Sequence, residues 1–149
     1  SNRWSQIETM QANVAQSLRY LDTMTDGAEQ WVVVIEGENL VQLASAGSGW
    51  AATTVADSGT RHAAGTRLVS TVDGVFVVWA EHHDHKIKRF GIAAAENPSR
   101  QRTTKADLDG SFTDIQDVRF SDGAVEMITS SEDSTGSTID LVRICLPPE

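Results

Sequence analysis

Short apolar stretches separated by polar turns recur along the whole chain. Three of them, residues 31–35, 75–80 and 124–128, begin within a few positions of an Asp-Gly dipeptide. Each is rich in β-branched, aromatic or other apolar residues, which is typical of a buried strand. An Asp-Gly dipeptide beside such a stretch favours a tight hairpin. The pattern therefore predicts an all-β fold built from consecutive antiparallel hairpins.

The hairpin signals form an internal repeat. The three dipeptides are Asp26-Gly27, Asp73-Gly74 and Asp122-Gly123. A second marker precedes each dipeptide by 22 or 23 residues, and it consists of Trp4, Trp50 and Arg100. Two markers in one register indicate three repeats within a single domain, at approximately residues 1–48, 49–98 and 99–149.

One repeat contains signals for four strands. In the unit around the second Asp-Gly dipeptide these are residues 66–71, 75–81 and 87–94, with a polar loop at 82–86, and residues 100–106 beyond the repeat boundary. Four antiparallel strands in every 45 to 50 residues are typical of a β-propeller blade, so we predict a propeller-type protein with three blades per chain. An N-terminal helix is the alternative, because apolar residues recur at helical spacing over residues 7–21. The fold would then be one helix packed on an antiparallel β-meander.

Three blades are too few to close a ring, because propellers have four or more. Two explanations stay open. Two copies could complete one six-bladed ring as a homodimer, with residues 4–10 of one chain pairing with residues 137–145 of the other. Alternatively, the chain is part of a longer propeller.

The stretch Val72 to Glu81, with the following residues 87–92, resembles sialidase-like propellers that carry Asp-box (BNR) repeats. The turn at residues 45–50 is similar to a degenerate Asp box. This resemblance implies a propeller fold, and sialidase chemistry would need a cluster of three arginines and a tyrosine nucleophile. The chain has one tyrosine, Tyr20, and the arginines on predicted inner strands are Arg19, Arg67 and Arg119. The chain also resembles small propeller lectins that bind sugar between blades with an Arg, a Glu and a Trp, although the Arg and Glu do not recur at the expected positions.

Composition and charge argue against several classes of function and types of site. The chain has 149 residues, 21 acidic against 12 basic, and a formal net charge of −9. This charge argues against unspecific binding to nucleic acid or to anionic membranes. No apolar run is long enough to insert into a membrane as a helix. The single cysteine, Cys145, excludes an internal disulfide and a cysteine-based zinc site.

The candidate binding site is a histidine-rich segment on the predicted loop face of the middle blade. It comprises His82, His83, Asp84 and His85, together with Arg61 and His62. Imidazoles beside a carboxylate are possible ligands of a transition metal, and a solvated polar loop is the other interpretation. The four tryptophans are expected in the core, and one exposed between blades would instead be a platform for sugar stacking.

These observations predict non-catalytic recognition of a glycan or a protein through the loop face, without a cofactor. The alternative is a sialidase-like or other glycosidase, completed by a second subunit or by further blades. A purely structural assembly module is a third possibility. The resemblance favours an extracellular or periplasmic protein.

Overall fold

The computed structural model describes residues 18–37, 39–46, 49–56, 62–83, 86–108 and 111–148. Every regular element within these ranges is a β-strand, so the described chain is all-β, as its apolar runs predict. None of the described segments forms a helix long and apolar enough to cross a membrane.

The strands form three antiparallel sheets that follow one another along the chain. Sheet 1 contains β1 (Leu18–Asp26), β2 (Glu29–Glu36), β3 (Asn39–Ala46) and β4 (Gly49–Ala56), paired in that order. Sheet 2 contains β5 (His62–Thr71), β6 (Gly74–His83), β7 (Lys86–Ala94) and β8 (Gln101–Leu108), again in order. Sheet 3 contains β9 (Ser111–Ser121), β10 (Ala124–Asp133) and β11 (Gly136–Cys145).

Each Asp-Gly dipeptide lies at the first hairpin of its sheet, but the three turns differ. Asp122 and Gly123 are the two central residues of the β9–β10 turn, with φ of 50° and 73°. This is the type I′ arrangement that Asp-Gly favours. In the first sheet Gly27 (φ 58°) is the first central residue, and in the second Gly74 (φ 103°) follows the turn. The repeat thus marks equivalent hairpins without fixing one turn geometry.

The sheets stack face to face, with their first strands β1, β5 and β9 side by side. One core lies between sheets 1 and 2 and contains Trp31, Val33 and Ile35 packed with Val75, Val77 and Trp79. A second core lies between sheets 2 and 3 and contains Phe76, Val78 and Phe90 packed with Ile115, Val125 and Met127. Alternation along each strand therefore supplies both faces of the middle sheet with apolar residues.

The face of sheet 1 turned away from sheet 2 is also apolar. Its residues form a separate cluster of Val32, Val34, Val41 and Leu43, each no more than 7% exposed. These side chains are thus buried although sheet 2 lies on the opposite face of sheet 1.

Some strands are longer in the structure than predicted, and β1 bears on the alternative of an N-terminal helix. The predicted loop at residues 82–86 is wrong at both ends, because His82 and His83 continue β6 and Lys86 begins β7. Cross-strand backbone hydrogen bonds outweigh the weak strand preference of these polar residues. The last positions of the alternative N-terminal helix, Leu18 and Leu21, lie in β1. Its earlier positions, and the outermost strand predicted at residues 4–10, lie outside the described residues.

Candidate functional site

The structure brings part of the predicted histidine site to one end of sheet 2. His62, at the start of β5, is the direct cross-strand partner of His82 in β6. His83 is one residue farther along and pairs with Lys86. Arg61, Asp84 and His85 lie outside the described residues. The backbone register therefore places two of the six predicted residues opposite each other, and binding at this end stays a prediction.

Near this end of sheet 2, the Glu81 carboxylate lies between the Trp79 indole and the Arg89 guanidinium. Trp79 Nε1 donates a hydrogen bond of 3.0 Å to Glu81 Oε1, and Arg89 Nε lies 4.0 Å from Glu81 Oε2. The Glu81 side chain is only 13% exposed. The Trp79 ring is 1% exposed and packs in the core between sheets 1 and 2. A ring buried in this way is unavailable for stacking on a sugar, so these three residues form a structural contact.

The arginines of the three first strands occupy different registers. Arg19 pairs with Ile35, Arg67 with Val78 and Arg119 with Glu126, at unequal distances from their hairpin turns. Arg19 Nη2 donates to the carbonyl of Gly37 over 2.7 Å, and Arg67 Nη1 donates to the carbonyl of Thr66 over 2.8 Å. Each arginine thus has a contact within its own sheet, and their registers give no repeated arginine position.

A groove of about 320 Å³ lies on sheet 3, on the face directed away from sheet 2. Its walls carry four apolar and four charged residues, which are Val118, Ile128, Ile139 and Leu141 with Asp117, Arg119, Glu126 and Asp140. Ile128, Ile139 and Leu141 are 40%, 79% and 65% exposed. We call the surface formed by Arg119, Glu126, Ile128, Ile139 and Leu141 the sheet 3 outer face. It is an apolar patch bordered by charge, the usual composition of a surface that contacts another molecule.

A row of charges crosses the sheet 3 outer face. Arg119, Glu126 and Arg143 are direct neighbours on β9, β10 and β11. Glu126 Oε2 accepts a hydrogen bond of 2.8 Å from Arg119 Nε and lies 2.7 Å from Arg119 Nη2. Arg143 Nη2 donates to the carbonyl of Asp122 over 3.3 Å. Because the Arg119 side chain is 71% exposed, this ion pair contributes little to folding, and the guanidinium is accessible at the surface although Glu126 is only 14% exposed.

The register shows that the sheet 3 outer face repeats the contact faces of the other two sheets. Positions on the third strand make the comparison direct. Leu40 of β3, Phe90 of β7 and Ile139 of β11 are equivalent positions. Each pairs with the seventh residue of the second strand of its sheet, counted from the end of the first hairpin turn. Leu40 and Phe90 are 0% and 1% exposed beneath the next sheet, whereas Ile139 is 79% exposed.

The neighbouring position gives the same result. Gln42 of β3 and Ile92 of β7 are 4% and 0% exposed, whereas the corresponding Leu141 of β11 is 65% exposed. Sheet 3 thus carries exposed apolar side chains at the positions that, in sheets 1 and 2, are buried under the next sheet.

Sequence reasoning missed this groove. The signal was the alternation Ile139-Asp140-Leu141, which predicts a half-buried strand without telling which face is covered. Among the described residues, no group of three or more His, Cys, Asp or Glu side chains is arranged to hold a metal ion.

The comparisons with known proteins give no relative from which to transfer a function. No protein-family model, curated protein or solved structure matches the chain.

Proposed function

We propose that the chain is a non-catalytic protein-recognition module and that the sheet 3 outer face is its binding surface. The observation that carries the proposal is the exposure of Ile139 and Leu141 at positions that are buried under a further sheet in sheets 1 and 2. The expected partner presents the apolar face of an antiparallel β-sheet, because that is what the equivalent faces contact within this chain. The stacking of β1, β5 and β9 supports propeller-type blades as the architecture.

Two features favour a protein over a glycan as the ligand. None of the residues that line the groove is aromatic, whereas sugars bind to exposed aromatic faces. Trp31 and Trp79 are 5% and 1% exposed, so neither provides such a platform. Recognition is also favoured over glycosidase chemistry, because the groove lies on an outer sheet face and its Glu126 is already paired with Arg119.

The test compares two substitutions of exposed apolar residues. Leu141→Asp places a charge on the sheet 3 outer face. Val72→Asp is the matched control, since Val72 is 84% exposed in the β5–β6 turn. The immobilised chain is used to capture a partner, which is then purified and titrated against all three forms by calorimetry.

We expect Leu141→Asp to weaken binding by about tenfold or more, because it buries an unpaired carboxylate in the contact. Val72→Asp should leave the affinity within about twofold. Equal affinities of the wild-type and Leu141→Asp chains for the purified partner would overturn the proposal. So would glycan binding that withstands Leu141→Asp while no protein binds.

A further inference from the structure

We infer that the partner of the sheet 3 outer face is a second copy of this chain, bound about a two-fold axis with the two outer faces in contact. This inference rests on the proposed protein-recognition function and names its partner. It differs from closure of a six-bladed ring, in which sheet 3 of one copy would contact sheet 1 of the other.

Burial distinguishes the two arrangements. Ring closure requires the outer face of sheet 1, but its Val32 and Val34 are 4% and 3% exposed in the single chain. The side chains of Ile139 and Leu141 are accessible without any rearrangement. Of these two apolar faces in the described part of the chain, only the sheet 3 outer face is open, and a two-fold contact needs no other surface.

Charge on the face is compatible with self-association. The whole chain carries a formal charge of −9, which disfavours contact between most of its surfaces and their copies. Around the groove on sheet 3, by contrast, Arg119 and Arg143 offset most of the charge of Asp117, Glu126 and Asp140. Two copies related by a two-fold axis would bring a weakly charged surface against itself, in which arginines of one chain approach carboxylates of the other.

The size of the face sets the strength of the expected contact. Three strands about 4.8 Å apart and about 34 Å long cover about 500 Å² per copy, or about 1,000 Å² for the pair. This is below the usual range for specific interfaces, so the dimer should be weak and reversible. Its mass in solution will therefore depend on concentration.

The first measurement is sedimentation velocity between about 1 and about 300 µM, where mass action should shift a weak dimer. We expect the mass to rise from 16.1 kDa towards twice that value. Leu141→Asp should remain monomeric throughout, and Val72→Asp should behave as wild type. Retained circular dichroism of each variant shows that it is folded, as expected for substitutions at 65% and 84% exposed sites.

A crosslinking experiment identifies the mode of association. Leu141→Cys is made in a Cys145→Ser background, because Cys145 is itself exposed near the end of β11. We place the two-fold axis beside Leu141, so a short bis-maleimide should join two Leu141→Cys chains across the contact. Val72→Cys in the same background is the control and should stay uncrosslinked.

Each result has a defined meaning. A dimer that Leu141→Asp abolishes, with efficient crosslinking at position 141, supports the inference. A dimer without crosslinking at position 141 overturns the two-fold mode and favours ring closure. A monomer at every concentration overturns self-recognition, while the proposed function survives if a purified foreign partner loses affinity on Leu141→Asp.

Discussion

Replacing Gly91 with alanine should destabilise the chain more than its one added methyl group suggests. Gly91 lies in β7 directly opposite Trp79 in β6. A Cβ at position 91 would lie 2.7 Å or less from three atoms of the indole ring, Cε2, Cζ2 and Cη2 of Trp79. Carbon atoms in contact are normally about 3.5–4.0 Å apart, so the ring or the strand would have to move by about 1 Å.

Neither movement is easy in this core. The Trp79 ring is 1% exposed, packs with the residues between sheets 1 and 2, and is hydrogen-bonded to Glu81. Interiors are packed at crystal-like density, and overfilling them costs about 1–3 kcal/mol. We expect Gly91→Ala to cost about 3 kcal/mol, which lowers the melting temperature by about 10 °C for a chain of this size.

The assay is a double-mutant cycle measured by thermal and urea unfolding. Trp79→Phe removes the outer ring atoms that clash and should itself cost about 2 kcal/mol or more, through the cavity it leaves and the lost hydrogen bond to Glu81. Gly91→Ala should then cost almost nothing in the Trp79→Phe background, which gives a coupling energy of about 2–3 kcal/mol. Gly49→Ala is the control, because a Cβ there would meet no atom within 4 Å, and its effect should stay within about 0.5 kcal/mol.

Two results would refute this reasoning. One is a melting temperature of Gly91→Ala close to that of the wild type. The other is an equal penalty in both backgrounds, since the clash with the indole would then not be its cause. An unchanged urea m-value is needed to attribute the difference to the folded state.

Two contacts between distant parts of the chain give further predictions. Arg100 donates hydrogen bonds of 3.1 and 3.2 Å to the carbonyls of Pro147 and Pro148, so Arg100→Ala should lower the unfolding free energy by about 2 kcal/mol in urea titrations. Arg100→Lys should recover less than half, because an ammonium group lacks the forked geometry, and full recovery would contradict this account. Asp22 Oδ2 accepts a 2.8 Å hydrogen bond from the backbone N–H of Leu68, which joins the first strands of sheets 1 and 2. Asp22→Ala should cost about 1–3 kcal/mol and Asp22→Asn clearly less, and equal losses would show that the acceptor oxygen is not responsible.

The hairpins were predictable because turn chemistry is local. Asp122 and Gly123 both adopt positive φ, which few other residue pairs tolerate, so the dipeptide alone identifies the β9–β10 turn. The end of β6 was not predictable in this way. His82 and His83 are polar and resemble a loop, but their strand conformation depends on pairing with β5 and β7. The Asp-Gly dipeptides located the first hairpin of each sheet, and contacts between strands determined where each strand ends.

The candidate site could not be predicted from the sequence either, and the reason differs from that for the end of β6. Ile139 and Leu141 alternate with polar residues as core positions do, and the same alternation occurs in strands that are fully covered. Which face is covered depends on the order in which sheets stack, and that order is a property of the assembled fold. The histidine-rich segment has an unusual composition that a sequence reveals. The groove consists of common residues, and only their exposure on an uncovered sheet face distinguishes it.

The charged row on sheet 3 limits the kind of contact its outer face makes. The positions that correspond to Glu126 are Trp31 in sheet 1 and Phe76 in sheet 2, which are 5% and 0% exposed. Glu126 is already only 14% exposed, so complete burial of the pair would mainly remove water from Arg119, which is 71% exposed. This cost often exceeds the attraction between the two charges. A contact on this face is therefore expected to bury Ile139 and Leu141 while the Arg119 guanidinium, on the edge strand β9, stays hydrated. Such an interface is small and reversible, which suits recognition better than a permanent third core.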